Sequence, residues 1–322
     1  MSRIAWFSPF PPLTSGIAHY AAALLPRVAR RHEVVVYRDP KYIPEVGFAA
    51  PEIEPAEAFA GREDLAVYHV GADWRSMAFL WEPLHRRPGL VVLHDFSLHD
   101  LAAGAFRGRP GAFLSYFLRH EGREGLDRLT RDAAGRRRLS PLAWSERIRF
   151  AEDRRERFPL NRGILRRARG VVVHSLWSAR AVRRIAPEAR VFLVPHGATP
   201  TLTDESPRQA RAVLQLERIG ATPETFLVTL YGSLGGHKRI AQALGGVRLF
   251  LRKNKDVDLR VILAGKPTPE VDLATLVSTL GLSSRVHVAE RTRPLREVHR
   301  LLRASNAYIG LRDPGLGATS GA

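Results

Sequence analysis

The octapeptide LHDFSLHD, Leu93 to Asp100, sets His94, Asp95, His99 and Asp100 directly behind an apolar, β-branched run. Imidazole nitrogens with a carboxylate are the ligand types of zinc and non-haem iron. No second ligand pair of recognised spacing accompanies them, so no metal is expected. His94, at a strand end, reads as a residue that meets an organic substrate, and His99 as a structural histidine. A second constellation is YGSLGGHKRI, residues 231–240, where Gly232, Gly235 and Gly236 make a flexible turn and Lys238 is expected to open a helix. A lysine there reaches a phosphate as a point charge with helix amides behind it. The alternative is that Lys238 and Arg239 simply face solvent. The turn lacks the G-K-[ST] ending of a Walker A loop. A third is GLRDPGLGATSGA, Gly310 to Ala322, a glycine-rich turn running into small hydroxyl residues. Two anion-binding turns in one unit suit a diphosphate. The first loop, SPFPPLTSGIAHY, offers Gly16 but no G-x-G-x-x-G, which removes the nicotinamide fingerprint. Gly16 either admits a ligand to the helix amides or follows a plain cap.

The elements that position these residues alternate in type. RIAWF (3–7), EVVVY (33–37), LAVYH (65–69), LVVLH (90–94), GVVVH (170–174) and VFLVP (191–195) are short, continuous and β-branched, the signature of parallel strands buried on both faces. Helical patterns lie between most of them, as at Ile17 to Arg31 and Ser178 to Ile185, and Ser97 to Arg169 reads as a helical insertion. Periodicity breaks at PHGATPTLTDESP, 195–207, and Ser206 then reads as an N-cap for a helix over 207–218. Alternation resumes with TFLVTLYG (225–232), a helix from Lys238, DLRVILAG (258–265), a helix over 270–280, RVHVA (285–289), a helix over 295–303 and AYIGL (307–311). The fold class is therefore α/β: two Rossmann-like parallel-sheet domains, 1–200 and 201–322, joined by a hinge. Ligands of such sheets bind beyond the carboxyl ends of the strands, which is where all the candidate residues fall.

Composition bounds the partners. The chain of 322 residues is 45% hydrophobic and 25% charged, which describes a soluble globular protein of two domains; its lack of cysteine fits the expected cytoplasmic location. It has no cysteine, so disulfides and thiolate metal sites are excluded. No long apolar run spans a membrane, and the N-terminal apolar stretch is too short and proline-bounded for a signal peptide. The net charge is +18, carried almost wholly by arginine and densest over 119–169. That stretch lacks the interleaved aromatics of a single-strand binder, so a nucleic-acid partner is not expected. An anionic membrane surface, as for a chain peripheral to the inner face of the cell membrane, or a polyanionic ligand is the better partner; an arginine-biased genome or a heat-adapted surface rich in ion pairs is the bland alternative.

Taken in order along nearly the whole chain, these segments resemble the GT-B-fold glycosyltransferases of family 4. VVLHDF matches the strand-end histidine near the transferred sugar, here His94; VVVHSLWS (171–178) and VPHG (194–197) match two further strand ends; GSLGGHKR matches the turn whose lysine holds the donor diphosphate, here Lys238; and ASNAYIGLRDPGLGATSGA matches the family's second donor segment. The resemblance implies transfer of a sugar, with retention, from a nucleoside-diphosphate sugar to a hydroxyl of a glycan or lipid-linked acceptor in polysaccharide or cell-envelope synthesis, with no further cofactor. It assigns catalysis to His94 and Lys238 and the acceptor to Gly16, His19 and Asp73. It assigns the donor to Gly232, Ser233, Lys238 and Arg239, to Ala289, Glu290 and Arg291, and to Gly317, Ala318, Thr319 and Ser320. Two positions depart from the family: Ser233 stands where an arginine is usual, and Ala318 where a glutamate is. The family's closing strand–helix pairs would lie past Ala322, so the chain reads as C-terminally truncated, its second domain incomplete. The alternatives are a catalytically inactive fragment or binding protein, and a metal-dependent hydrolase built on HDFSLHD.

Overall fold

Strands form where the sequence is apolar on both sides. The computed structural model describes residues 1–13, 15–45, 52–130, 158–197, 204–269, 271–289 and 294–312. The described residues up to Gly197 form one compact unit, and those from Asp204 to Arg312 another. Each is a parallel sheet with helices, as the alternation of segments predicts.

In the first unit β1 (Arg3–Phe7), β2 (Glu33–Arg38), β3 (Glu52–Pro55), β4 (Leu65–Val70), β5 (Leu90–Leu93), β6 (Gly170–Val173) and β7 (Val191–Leu193) lie in the order β3-β2-β1-β4-β5-β6-β7, all parallel. Alternation divides the side chains between two cores. Ile4, Trp6, Val34, Val36, Val67 and Val92 point to the face covered by Ala21 and Leu25 of α1 (Gly16–Ala29). Ala5, Phe7, Val35, Tyr68, Val91 and Val171 point to the other. There the Phe7 ring stacks on Tyr37 and Tyr68, each with centroids 4.9 Å away. α1 starts where Ser15 accepts a hydrogen bond from the Ala18 amide at 3.0 Å, which satisfies one of the orphan donors of its first turn.

The edge strand β3 is absent from the sequence reading. EIEP carries a single aliphatic residue, so ladder hydrogen bonds to β2 rather than burial make it a strand. After β4 come α2 (Trp74–Met77) and α3 (Trp81–Arg86), both short. The insertion is helical where described: α4 (His99–Ala105), α5 (Pro110–Thr130) and α6 (Arg162–Arg167). Gly122, with φ 71°, interrupts α5. Phe113, Tyr116 and Phe117 of α5 pack with Phe158 and Leu160. The central basic residues of the 119–169 stretch, from 131 to 157, lie outside the described residues. α7 (Leu176–Ile185) joins β6 to β7 and is capped by Ser175.

The second unit carries α8 (Pro207–Val213), β8 (Phe226–Tyr231), α9 (Ile240–Lys253), β9 (Leu259–Ala264), α10 (Leu273–Thr279), β10 (Val286–Ala289), α11 (Leu295–Ala304) and β11 (Ala307–Tyr308). Its strands are parallel in the order β10-β9-β8-β11. Gln215, at φ 52°, separates α8 from the single turn Leu216–Ile219, so the helix is shorter than the predicted 207–218. Arg300 of α11 grips Glu205 through two bonds of 2.6 and 2.5 Å. Ser206 caps α8 in a full capping box: its hydroxyl accepts from the Gln209 amide at 3.2 Å, and Gln209 Oε1 accepts from the Ser206 amide at 2.8 Å. Ser206→Ala removes half of this box. It should lower the stability of the second unit by about 1 kcal/mol in urea unfolding, with Ser206→Asp recovering most of the loss. An unchanged Ser206→Ala midpoint would contradict the capping account.

Candidate functional site

Parallel register brings the strand ends of the first unit abreast. Val70 pairs with Leu93, Leu93 with Val173, and Val173 with Leu193. The ladder continues one step past the strands, through His94 N to Val70 O and Val194 N to Val173 O, both 2.9 Å. His94 and His174 are therefore neighbours across adjacent strands. They share the parity of Val92 and Val172, so they extend the apolar stripe that lies under α1. His69, paired with Val92, belongs to the same stripe. His196 follows β7, and Tyr20 comes from α1. His69, His94 and His174 are all buried.

The rings form one cluster. His69 Nδ1 and His94 Nε2 are hydrogen-bonded at 3.1 Å. His174 Nδ1–H donates to the Val194 carbonyl at 2.8 Å. Ring centroids lie 5.1 Å apart for His94 and His174, and 4.1 Å apart for His174 and His196. Tyr20 packs on His94, His174 and His196 at 5.1 to 5.2 Å. Burial holds the His69 imidazolium down to a pKa of about 3, with His174 adding to the effect. Burial, then His69, His174 and His196, push His94 well below the ordinary histidine range. Burial also lowers His174, against the opposing bond to the Val194 carbonyl. Near neutral pH His69, His94 and His174 are uncharged hydrogen-bonding groups in an apolar setting.

The octapeptide that suggested the chemistry divides. His94 joins the cluster, whereas His99 is buried with Nδ1–H donating to Phe158 O at 3.0 Å, the structural role expected of it. Asp95 Oδ2 accepts from the Ala72 amide at 2.9 Å and ties the two loops together. Asp73 is the N-cap of α2, accepting from Arg75 N at 3.2 Å and Ser76 Oγ at 2.8 Å. Gly16 opens α1 with nothing within 4 Å of where a Cβ would stand, so no neighbour among the described residues demands a glycine there. His19 is exposed, and it is Tyr20, one residue on, that faces the histidines. Sequence reasoning passed over Tyr20, His69, His174 and His196 as a group. The signal was present: LAVYH, LVVLH and GVVVH each close on a histidine, and VPHG places the fourth.

In the second unit the strand ends form a different device. Gly232 follows β8 at φ 116° and Gly265 follows β9 at φ 153°, backbone states that favour glycine. A Cβ on Gly265 would lie 1.8 Å from the Gly232 carbonyl oxygen, and one on Gly232 would lie 2.9 Å from Lys238 Nζ. Lys238 thus folds over bare backbone, its ammonium donating to the Tyr231 carbonyl at 3.2 Å. Burial, with Arg312 nearby, lowers its pKa to about 8. Lys238 does not open a helix as the sequence predicts. It ends the single turn Gly236–Lys238, Arg239 takes φ 49°, and α9 starts at Ile240. Ser233 and Arg239 are exposed on this turn, and Ala289 ends β10. The turn is tied to the loop after β9 by Leu234 N to Lys266 O at 2.9 Å. Glu290, Arg291, Gly317, Ala318, Thr319 and Ser320 lie outside the described residues.

No protein-family model matches the chain, and no curated protein matches it in sequence. Solved structures do resemble it. Sucrose-phosphate synthase from Thermosynechococcus elongatus superposes with a TM-score of 0.56 at 15% identity, over 96% of this chain and 75% of that one. The Anabaena protein HepE, solved in complex with UDP, gives a TM-score of 0.53 at 14% identity, over 96% of this chain and 73% of that one. These likenesses establish the fold: two Rossmann-like parallel-sheet units of the GT-B type. Among the described residues no helix is long and apolar enough to cross a membrane.

Two tests follow from this geometry. Gly265→Ala should destabilise the second unit by about 2 kcal/mol or more, because its Cβ meets backbone. Gly16→Ala should change stability by no more than about 0.5 kcal/mol; equal effects at the two sites would contradict the geometry. The histidines set a pH dependence. The unfolded chain takes up protons near the ordinary histidine pKa of 6.5 while folded His69 resists until about 3, so stability should fall as pH drops through that window. Urea midpoints between neutral and mildly acidic pH measure this, and His69→Phe should flatten the decline. A decline that His69→Phe leaves untouched would assign it to other groups.

Proposed function

We propose that this chain is a retaining glycosyltransferase that uses a nucleoside-diphosphate sugar. The observation that carries the reading is Lys238, half-buried and folded over Gly232 at the carboxyl end of the second sheet, where ligands of such folds sit. A half-buried ammonium folded against a glycine is preorganised to stabilise charge on a departing diphosphate without a metal ion at that point. Both solved relatives are compatible with this: one is a sucrose-phosphate synthase and the other was solved with UDP.

In the reaction the bond from the anomeric carbon to the diphosphate oxygen breaks and the electron pair leaves with the diphosphate. A bond from the acceptor oxygen forms on the same face, and the hydroxyl proton is released. Lys238 and the Gly232–Gly236 turn hold the diphosphate, with Ser233 and Arg239 at its rim; a role for Ala289, Glu290 and Arg291 toward the base comes from the family resemblance. The roles of His94, uncharged, toward the sugar hydroxyls and of Gly16 and His19 toward the acceptor come to the reading from the family resemblance. Asp73 supports that loop through its cap. The second donor segment, Gly317 to Ser320, and the glycan or lipid-linked acceptor of polysaccharide or cell-envelope synthesis come to the reading from the family resemblance, as does an anionic membrane surface as partner. A nucleotide-binding chain without turnover is the second reading, favoured by exposed Ser233 in place of the family's arginine.

A thermal-shift series with UDP, GDP, ADP and dTDP tests the donor site, since a ligand stabilises the fold by RT ln(1 + [L]/Kd). One nucleotide should raise Tm, and Lys238→Ala should markedly reduce the rise. Affinity should fall as pH rises through about 8, where the free lysine loses its proton, and Lys238→Ala should remove that dependence. No shift with any nucleotide, in a cooperatively melting chain, would overturn the reading. Binding without sugar release would favour the second.

A further inference from the structure

We propose that His94, His174 and His196 form a binding site for a zinc-class transition-metal ion. The inference stands on the first unit alone and does not depend on glycosyl transfer. Each of the three offers a ring nitrogen, and these nitrogens all lie within 4.8 Å of one another. The ligands come from three consecutive strand ends, after β5, β6 and β7, which explains why no linear spacing motif announces them.

The surrounding bonds suit ligation. His174 donates Nδ1–H to the Val194 carbonyl, which fixes the tautomer with its lone pair on Nε2. That Nε2 is buried and has no hydrogen-bond partner among the described residues. A backbone carbonyl behind a histidine is the support that metal-bound imidazoles commonly have. The pair of His69 and His94 can provide the same arrangement: with His94 Nε2–H donating to His69 Nδ1, the other His94 nitrogen carries a lone pair. The set is all imidazole, with no carboxylate among the three, which suits zinc, copper or nickel better than magnesium or calcium. Zn–N bonds of about 2.0–2.1 Å in a tetrahedron place nitrogens roughly 3.4 Å apart, so the ligands must close by up to about an ångström or more. His196 can supply that movement, because it lies beyond the last ladder contact, at Val194, and is only half-buried. Three imidazoles leave a fourth position for water or a ligand oxygen. A bound ion would also recruit His94, the residue assigned to the sugar, so metal and donor sugar would compete for it.

Equilibrium dialysis of the full chain against micromolar zinc chloride, with cobalt(II) as a spectroscopic probe, tests the site. Wild type should bind one equivalent of zinc and give the intense visible bands of tetrahedral cobalt. His196→Asn and His174→Asn should each weaken zinc at least tenfold and lose those bands, while His287→Asn, at an exposed histidine of the other unit, should change neither. His196→Asn carries the test if His174→Asn fails to fold, because its side chain lies outside the ladder; equal apo melting curves check this. No zinc binding by wild type would overturn the proposal. So would binding that His196→Asn leaves intact, or that His287→Asn removes.

Discussion

Among the described residues every strand pairing in both sheets is parallel, and the rest of the structure depends on that constraint. A parallel ladder aligns all its carboxyl ends on one edge. Residues that are far apart in sequence but equally placed at their strand ends then become neighbours. His94 and His174 are 80 positions apart, yet each follows the last paired residue of adjacent strands, and their rings meet. Gly232 and Gly265 follow β8 and β9 in the same way, and the carbonyl of one occupies the place a side chain of the other would need. The helices contribute by covering the faces; α1 also brings Tyr20 over the histidines.

Desolvation works on both clusters, with opposite consequences. Among the histidines it favours the neutral rings, leaving lone pairs and N–H groups for hydrogen bonding or for a metal ion. At Lys238 it lowers a much higher starting pKa only to about 8, so the ammonium persists at neutral pH in a partly dry setting. A charge there is worth more to an arriving anion than one in bulk water, because less solvent screens it. One physical effect therefore produces a neutral polar cluster in one unit and an anion-binding point in the other.

Much of this was legible in the sequence, for reasons that can be named. β1, β2, β4, β5 and β6 are short, largely apolar runs, with consecutive valines in β2, β5 and β6, and burial on both faces made them legible as strands. Ser206 was legible as a cap because a hydroxyl residue stands just before Pro207, where helical periodicity resumes; its box with Gln209 is a finding of the structure. β3 was not legible, since an edge strand of EIEP is made by its neighbour's ladder rather than by its own apolar content. The helix start at Lys238 was misread because a left-handed Arg239 and a single tight turn leave no composition signal. The histidine cluster is the instructive case. Four histidines near strand ends were visible as letters, but reading them as a group needed the order of strands, which pairs β5 with β6 and β6 with β7. The sequence reading gave His94 a substrate to meet; the fold gives it three histidine neighbours and a tyrosine.

The central claim is that the strand-end turn with Lys238 receives a diphosphate. The most direct measurement is a crystal structure of the chain soaked with UDP, GDP or ADP. The account predicts the β-phosphate within hydrogen-bonding distance of Lys238 Nζ and of backbone amides in the turn from Gly232 to Gly236. A nucleotide bound with its diphosphate away from that turn, with Lys238 still folded onto the Tyr231 carbonyl, would contradict it.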